Sequence, residues 1–403
     1  MSARLVAIPT ALVLLGLAAC TPRAARVTAE APSAAPAIRP LVLAKAAEDD
    51  LTAVVLAPVR IERPTLRKFP SLQPRPRRLT RIVAVGDMML GTNYPDPKYL
   101  PPGDGSALLA PLLTELRSAD VTIGNLEGTL LDAGGTPKRC GNPDACYAFR
   151  SPEAFAQHFA DAGFDFLSLA NNHSGDFGPE GRATTKRRLD EVGIAYAGLM
   201  GTDEVAYRTF DGQRVAFVAF APNSGTVDVR DIPHARRLVR DAAARADLVL
   251  VSFHGGAEGK DAQHVPRATE EYYNEDRGDV HAFAHAVVDA GADLVAGHGP
   301  HVTRGMELYK DRLIAYSLGN FATYGRFNLR GPAGVAPLLD VTVDDEGRFV
   351  RGRVVPVYQT KPTGPRVDAQ ARATQYVREL SRADFPESPL VVEPDGTLVA
   401  RGL

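Results

Sequence analysis

Asp87, Glu127, Asn172 with His173, His254, and His298 with His301 are all oxygen- or nitrogen-donor side chains, and each group follows a short apolar run. A single Asp after a strand is more often a helix cap, and a lone His is more often a hydrogen-bonded structural residue. Recurrence changes that weighting: five consecutive strand ends carry such groups, and Gly86, Gly128, Gly255 and Gly297 stand beside four of them and permit tight turns. Carboxylate, amide oxygen and imidazole together suit Mn, Fe, Zn or Ca better than a thiolate-seeking metal. Two such ions sharing a bridging carboxylate polarise a phosphoryl oxygen and supply a hydroxide at neutral pH. Other chemistries lack their signatures. Ser174 has no Gly-x-Ser-x-Gly context, and no Gly-x4-Gly-Lys phosphate loop is present.

Such groups must be placed by a framework, and from Arg81 onward the sequence alternates strand and helix signals. Ile82–Val85, Val121–Ile123, Phe166–Leu169, Ile194–Ala197, Val215–Phe220, Leu248–Ser252 and Leu294–Ala296 read as strands. Leu108–Leu116, a segment opening at Ser151-Pro152-Glu153, and about 181–192, 235–245 and 280–290 read as helices between them. Ser151 is a candidate N-cap, with Pro152 at the first helical position. Met306–Tyr309 and Leu313–Tyr316 read as a hairpin, and Leu338–Val343 and Phe349–Val357 as later strands. A weak helix at Ala369–Ser381 and a hairpin turning at Asp395-Gly396 end the chain. This alternation predicts an α/β fold with helix crossovers and some antiparallel pairs late in the chain. Ligands in open α/β sheets bind beyond the carboxyl ends of the strands, where the polar groups lie.

The 403 residues are 45% hydrophobic and 23% charged, enough for a sizeable core, and a net charge of −2 gives no electrostatic footprint for nucleic acid. Met1–Arg4 carries one early positive charge, Leu5–Leu17 is largely apolar, and Leu17-Ala18-Ala19 precedes Cys20. The apolar run is short for a bilayer span and reads as an export signal. It resembles the bacterial lipoprotein signal, which implies cleavage before Cys20 and a lipid on that cysteine; plain cleavage with a free thiol is the alternative. Residues 1–19 are thus read as a signal, and 20–80, rich in Ala, Pro and Arg, as an extended tether. Cys140 and Cys146 have five residues between them, and in an exported chain a loop-stapling disulfide is the expectation.

Five ordered motifs then carry a resemblance. Gly86-Asp87-Met88-Met89-Leu90-Gly91, Gly124-Asn125-Leu126-Glu127, Leu169-Ala170-Asn171-Asn172-His173, Gly297-His298-Gly299-Pro300-His301-Val302 and Tyr316-Ser317-Leu318-Gly319-Asn320-Phe321 are similar to the CapA family of capsule and poly-γ-glutamate synthesis proteins. That family resembles the calcineurin-like metallophosphoesterases. The resemblance implies a four-layer α-β-β-α sandwich over 81–360, with 361–403 as an extension. It also implies a site for one or two ions of Mn, Fe or Zn. Residue by residue, it implies that Asp87 binds a first metal, Glu127 bridges, and Asn172 and His254 bind a second. His298 and His301 supply the last imidazoles, and His173 is the general acid. Arg150 and Arg304 are candidates to hold an anionic substrate, with surface ion pairing as the alternative. Two departures stand out: Asp87-Met88-Met89 lacks the histidine of Asp-x-His, and His298 and His301 are three apart where the superfamily has His-x-His.

Two functions follow as expectations. One is a metal-dependent, phosphoesterase-like hydrolase at the cell surface or in the periplasm. The other is a non-catalytic lipoprotein that assembles or anchors an anionic polymer, or binds a ligand, with a degenerate metal site. The expected partners are the membrane through the lipid, an anionic polymer or phosphoester, and a polymer-synthesis complex, with no nucleic acid.

Overall fold

The computed structural model describes residues 78–139 and 147–402. The expected signal, Cys20 with its expected lipid, most of the 20–80 segment and the Cys140–Cys146 pair lie outside the described residues. The first strand starts at Leu79, two residues before the expected start of the body.

In chain order the elements begin with β1 (Leu79–Met89), α1 (Leu113–Leu116), β2 (Val121–Leu126), β3 (Thr129–Leu130) and β4 (Arg150–Ser151). Next come α2 (Phe155–Ala162), β5 (Phe166–Ser168), α3 (Gly178–Glu191), β6 (Ala195–Ala197), β7 (Val205–Phe210) and β8 (Gln213–Phe220). The middle of the chain forms α4 (Ile232–Ala243), β9 (Leu248–His254), β10 (Glu271–Tyr272), β11 (Glu275–Asp276), α5 (Val280–Ala290) and β12 (Leu294–His298). The last part forms β13 (Met306–Tyr309), β14 (Arg312–Ala315), β15 (Asn320–Thr323), β16 (Val335–Asp344), β17 (Phe349–Thr360), β18 (Gly364–Val367), α6 (Arg372–Asp384), β19 (Leu390–Val392) and β20 (Thr397–Ala400).

Two sheets hold most of these strands. The larger runs β19-β20-β17-β16-β1-β2-β5-β6, with β15 against β1 and β18 against β17. The smaller runs β13-β14-β12-β9-β8-β7. The strands that carry the polar ends are parallel: β1-β2-β5-β6 in one sheet and β8-β9-β12-β14 in the other. Every residue of β9 is buried, as a parallel strand covered on both faces requires.

Side-chain alternation sorts the apolar residues into layers. Ile82, Ile123 and Phe166 of the larger sheet meet Phe217, Leu250 and Ala296 of the smaller one in a shared core. The rings of Phe166 and Phe217 stack at 5.3 Å across the two sheets. The neighbours Val83, Val85 and Leu167 face the other way, onto Phe155 and Phe159 of α2. Val218, Val251 and Val295 turn outward onto Val239 of α4 and Phe283 and Val287 of α5. Helix, sheet, sheet, helix is the resulting order. Burial of one such Phe stabilises by about 2–3 kcal/mol.

Helix ends follow local chemistry. Asp231 and Asp279 cap α4 and α5 by accepting from the amides of His234 and Ala282. Gly163 and Gly291 close α2 and α5 with left-handed backbone. Two expectations are corrected. Ser151 is no N-cap: its hydroxyl donates to the Gly91 carbonyl, it pairs with Leu130 in the short β3–β4 ladder, and α2 starts at Phe155. The helix expected over Leu108–Leu116 is a 3-10 turn, Ala110–Leu112, followed by the four residues of α1, because Pro111 cannot continue the ladder of amide donors. Beyond 360, β18 and β20 pair with β17 and so extend the larger sheet.

Among the described residues no helix is long and apolar enough to cross a membrane.

Candidate metal centre

The carboxyl ends of the parallel strands of both sheets bring the polar residues together. Asp87 lies near the end of β1, where β1 carries an extra residue against β2 between Ala84 and Asp87. Such a bulge re-aims a side chain at a strand end. The segment Tyr316–Gly319 crosses from β14 of one sheet to β15 of the other directly beneath. It accepts from the Asp87 amide at Gly319 and donates to Gly297 from Leu318. Close approach explains two glycines: a Cβ on Gly86 would lie 2.0 Å from the Gly319 oxygen, and one on Gly297 would lie 2.3 Å from the Tyr316 oxygen.

Asp87 is the hub. Its Oδ1 accepts from Asn125 Nδ2 at 2.9 Å and lies 3.3 Å from His298 Nδ1. Its Oδ2 is 2.9 Å from His301 Nδ1. The other nitrogen of His301 is 3.4 Å from Glu127 Oε1, so this imidazole stands between the two carboxylates. Two imidazoles therefore adjoin Asp87, where the sequence has Met89 in place of a histidine. Asn171 holds Asn125 in turn, donating to its Oδ1 at 2.9 Å and to the Leu126 carbonyl. His254 is the ladder neighbour of His298, and its ring lies 6.2 Å from that of His301.

His173 faces this group from the side, with Nε2 3.9 Å from Glu127 Oε1. Its Nδ1 is 2.8 Å from Asp176 Oδ2. A carboxylate accepts, so Nδ1 carries the proton and Nε2 is free to exchange one. Lys138 pairs with the other Asp176 oxygen at 2.6 Å and donates to the Asn172 carbonyl. Phe149 covers the His173 ring at 4.3 Å, and Phe327 stacks on Phe149 and meets the edge of His301.

The electrostatics follow from burial and proximity. Burial pushes the Asp87 carboxyl up, yet the adjoining imidazoles of His298 and His301 outweigh it and hold Asp87 well below the usual range. Burial and then the Asp87 charge push Glu127 well above its usual range. Burial opposes charge on His301, but Glu127 and Asp87 raise it to about 10. Burial holds His254 well below its usual value, and burial also lowers His173 against the pull of Asp176.

Several buried polar atoms have no hydrogen-bond partner: both nitrogens of His254, Glu127 Oε1, Asn172 Oδ1, His298 Nδ1 and Asn320 Oδ1. Leaving such atoms unpaired costs about 1–3 kcal/mol each. Asp87, Glu127 and His301 present donor atoms within 4.8 Å of one another. An oxygen- and imidazole-rich set of this kind fits a divalent cation.

Two expected residues are placed elsewhere. Arg304 is fully buried and forked onto Glu270 at 2.8 and 2.6 Å, with its Nε given to the Ala262 carbonyl. It is a structural cation, because these partners consume its donors. Arg150 donates to Asn93 Oδ1 and the Gly134 carbonyl and lies over Tyr94 and Phe177. Neither contacts the strand-end cluster. Sequence reasoning missed Asn125, Asn171, Asp176 and Lys138. It also missed Glu258, which lies 3.9 Å from His301 Nε2 and pairs with the buried Arg277 at 3.0 Å. Asn125 and Asn171 sit inside the motifs that carry Glu127 and Asn172; Glu258 and Lys138 come from loops without a periodic signal.

The four layers, with carboxylates and imidazoles gathered where the strands of both sheets end, define an α-β-β-α sandwich with a polar strand-end site. Residues 81–324 match the family described as bacterial capsule synthesis protein PGA_cap, and the chain belongs to that family. It is 30% identical over 224 residues to the capsule biosynthesis protein CapA of Bacillus anthracis, which covers 51% of this chain and 51% of that protein. It is 28% identical over 252 residues to the PGA biosynthesis protein CapA of Bacillus subtilis (strain 168), covering 59% and 61%. The chain thus spans about half to three-fifths of the length of these two relatives. A putative 5'-nucleotidase from Staphylococcus aureus, crystallised with alpha-ketoglutarate, is similar in structure. It has 15% identity and a TM-score of 0.44 over 74% of this chain and 58% of that one.

Proposed function

We propose that this chain is a divalent-metal-dependent, phosphoesterase-like hydrolase acting in the synthesis of a capsule or poly-γ-glutamate-like polymer outside the cytoplasm, anchored by a lipid on Cys20. The observation that carries this reading is His254, fully buried with both ring nitrogens unpartnered beside Asp87, Glu127, His298 and His301. Asp87, Glu127, Asn172, His254, His298 and His301 would hold one or two ions of Mn, Fe or Zn. A bound ion supplies Lewis acidity toward a phosphoryl or related oxygen and acidifies its water. His173 exchanges a proton at Nε2 with the leaving group. Asp176 fixes its tautomer, and Phe149 and Phe327 limit water at the ring. Arg326, next to Phe327 and stacked on Tyr99 and Tyr147, is a better-placed cation for an anionic substrate than Arg150 or Arg304.

The proposed partners are the membrane, an anionic polymer and the complex that makes it. A second reading, polymer handling without hydrolysis, is supported by Met89: a buried thioether stands where a first metal would find a histidine in the phosphoesterase pattern.

Elemental analysis of the full chain, paired with turnover of generic phosphomono- and phosphodiesters, tests the proposal. Near-stoichiometric metal, with turnover lost in His173→Ala and metal lost in Glu127→Ala, is the expected result. Bound metal without turnover on any phosphoester would move the account to the second reading. Absence of metal after reconstitution would end the metal assignment.

A further inference from the structure

A second cluster of metal-type donors lies on the opposite side of the smaller sheet. Glu307 of β13 is the ladder partner of Ile314, which belongs to the outer core with Phe283 and Val287 of α5. Its neighbours Met306 and Ala315 face the core between the sheets. Glu307 therefore points to the helix layer, where α5 presents His281 and His285 one turn apart on the same face, with ring centroids 4.2 Å apart. His285 Nε2 is 2.7 Å from Glu307 Oε1, and the Tyr316 hydroxyl donates to the same oxygen at 2.6 Å. The three side chains place one donor atom each within 4.8 Å of one another.

We propose that His281, His285 and Glu307 form a second divalent-metal site, of the zinc-preferring two-imidazole, one-carboxylate kind, that ties α5 to β13. A hydrogen-bond network alone accounts for only part of the cluster. His285, Tyr316 and Glu307 satisfy one another, but His281 Nε2 is buried without a partner. A ligand that takes three donors at once supplies that partner. Zinc accepts this donor set at about 2 Å per bond and leaves a fourth position to water. Binding releases the proton shared by His285 and Glu307, and Tyr316 stays on the carboxylate as a supporting donor.

The aromatic surroundings hold the imidazoles in place. Tyr309 stacks on His285 at 3.8 Å, and Tyr316 and Phe385 lie parallel to the His281 ring at 6.1 and 6.2 Å. Burial, then the neighbouring His285, lowers His281, which favours the neutral ring a metal needs. The nearby cation Arg267 is paired with Glu387, which limits its repulsion of an incoming ion.

The test titrates Zn²⁺ and Co²⁺ alone into the full chain carrying Glu127→Ala and His254→Ala, which disables the strand-end cluster. The expected result is about one retained equivalent, with the visible absorption of tetrahedral cobalt, lost on adding His281→Ala or His285→Gln. Glutamine at 285 keeps a donor toward Glu307, and the circular dichroism of that variant checks that α5 is intact. If the background chain does not fold, the wild type and the H281A and H285Q variants are titrated instead, and a loss of one equivalent is expected. Equal stoichiometry with and without these substitutions, or no binding in a folded background chain, overturns the proposal. Failure of the strand-end site reads differently: wild type and background chain would then bind the same single equivalent.

Discussion

His301 Nδ1 lies 2.9 Å from Asp87 Oδ2, while Nε2 of the same ring lies 3.4 Å from Glu127 Oε1. One imidazole thus separates two buried carboxylates that would otherwise repel each other. It does so from a left-handed backbone position, φ 57°, that side chains seldom adopt apart from Asn and Asp. His301→Asn keeps the backbone and removes the imidazole. In the presence of chelator this variant should lose about 3 kcal/mol, the usual cost of breaking a buried ion pair. His301→Ala should lose more, because alanine adds the backbone cost. Urea denaturation of the three proteins decides it. An Asn variant as stable as wild type would mean that the ring does not hold the two acids together.

Asp176 reaches the site through His173, and through Lys138 on the Asn172 carbonyl, and is a positioning residue. Asp176→Asn leaves the imidazole without its carboxylate and Lys138 without its ion pair. If the chain hydrolyses phosphoesters, kcat should fall by about 10²-fold or more while KM and metal content hold. The pH profile of kcat should shift as well. A uniform rise in KM with unchanged kcat would assign Asp176 to folding or substrate contact instead.

Much of this arrangement is written in the sequence, because local rules and tertiary structure agree at the parallel strands. Runs such as Leu248–Val251 are apolar on both faces, and the residue that ends each run is the one the topology brings to the site. The β7–β8 turn has a signal of the same kind in the pair Asp211-Gly212, and both residues take the positive φ that a two-residue hairpin turn requires. Other features have no local signal. Arg304 looks like a surface cation near the His298–His301 motif, and only the fold brings Glu270 onto it from a loop 34 residues earlier. Lys138, Asp176 and Phe149 likewise meet only because the loops after β3 and β5 fold over the same imidazole.

Gly86 tests how closely the two sheets must approach to build the site. A methyl group there would sit 2.0 Å from the Gly319 oxygen and 2.4 Å from that of Leu318, both backbone atoms. Gly86→Ala should therefore cost about 1–3 kcal/mol or more and displace Asp87, the next residue. Thermal unfolding and metal content should both fall. Unchanged metal content at reduced stability would show that Asp87 is positioned independently of the Gly319 crossing.

Asp293 gives the fold a pH dependence separate from the strand-end cluster. Its Oδ2 accepts from the Val249 amide, and its Oδ1 pairs with Arg312 Nε at 3.1 Å. Burial nevertheless outweighs both contacts and raises the carboxyl from 3.8 to about 6. The folded state thus holds this proton more tightly than the unfolded chain. The contribution to stability is fully present below pH 3.8 and is lost as pH rises through 6. A difference of this size corresponds to about 3 kcal/mol. Asp293→Asn is close in shape and cannot titrate, so the stability of wild type relative to the variant should improve steadily from pH 7 down to about pH 4. Other carboxylates, such as Asp344 and Asp368, are lowered in the fold from 3.8, so their contribution is lost only as pH falls below that value. The comparison with the Asn variant cancels them. Parallel stability curves for the two proteins across that interval would show that Arg312 compensates the buried charge in full.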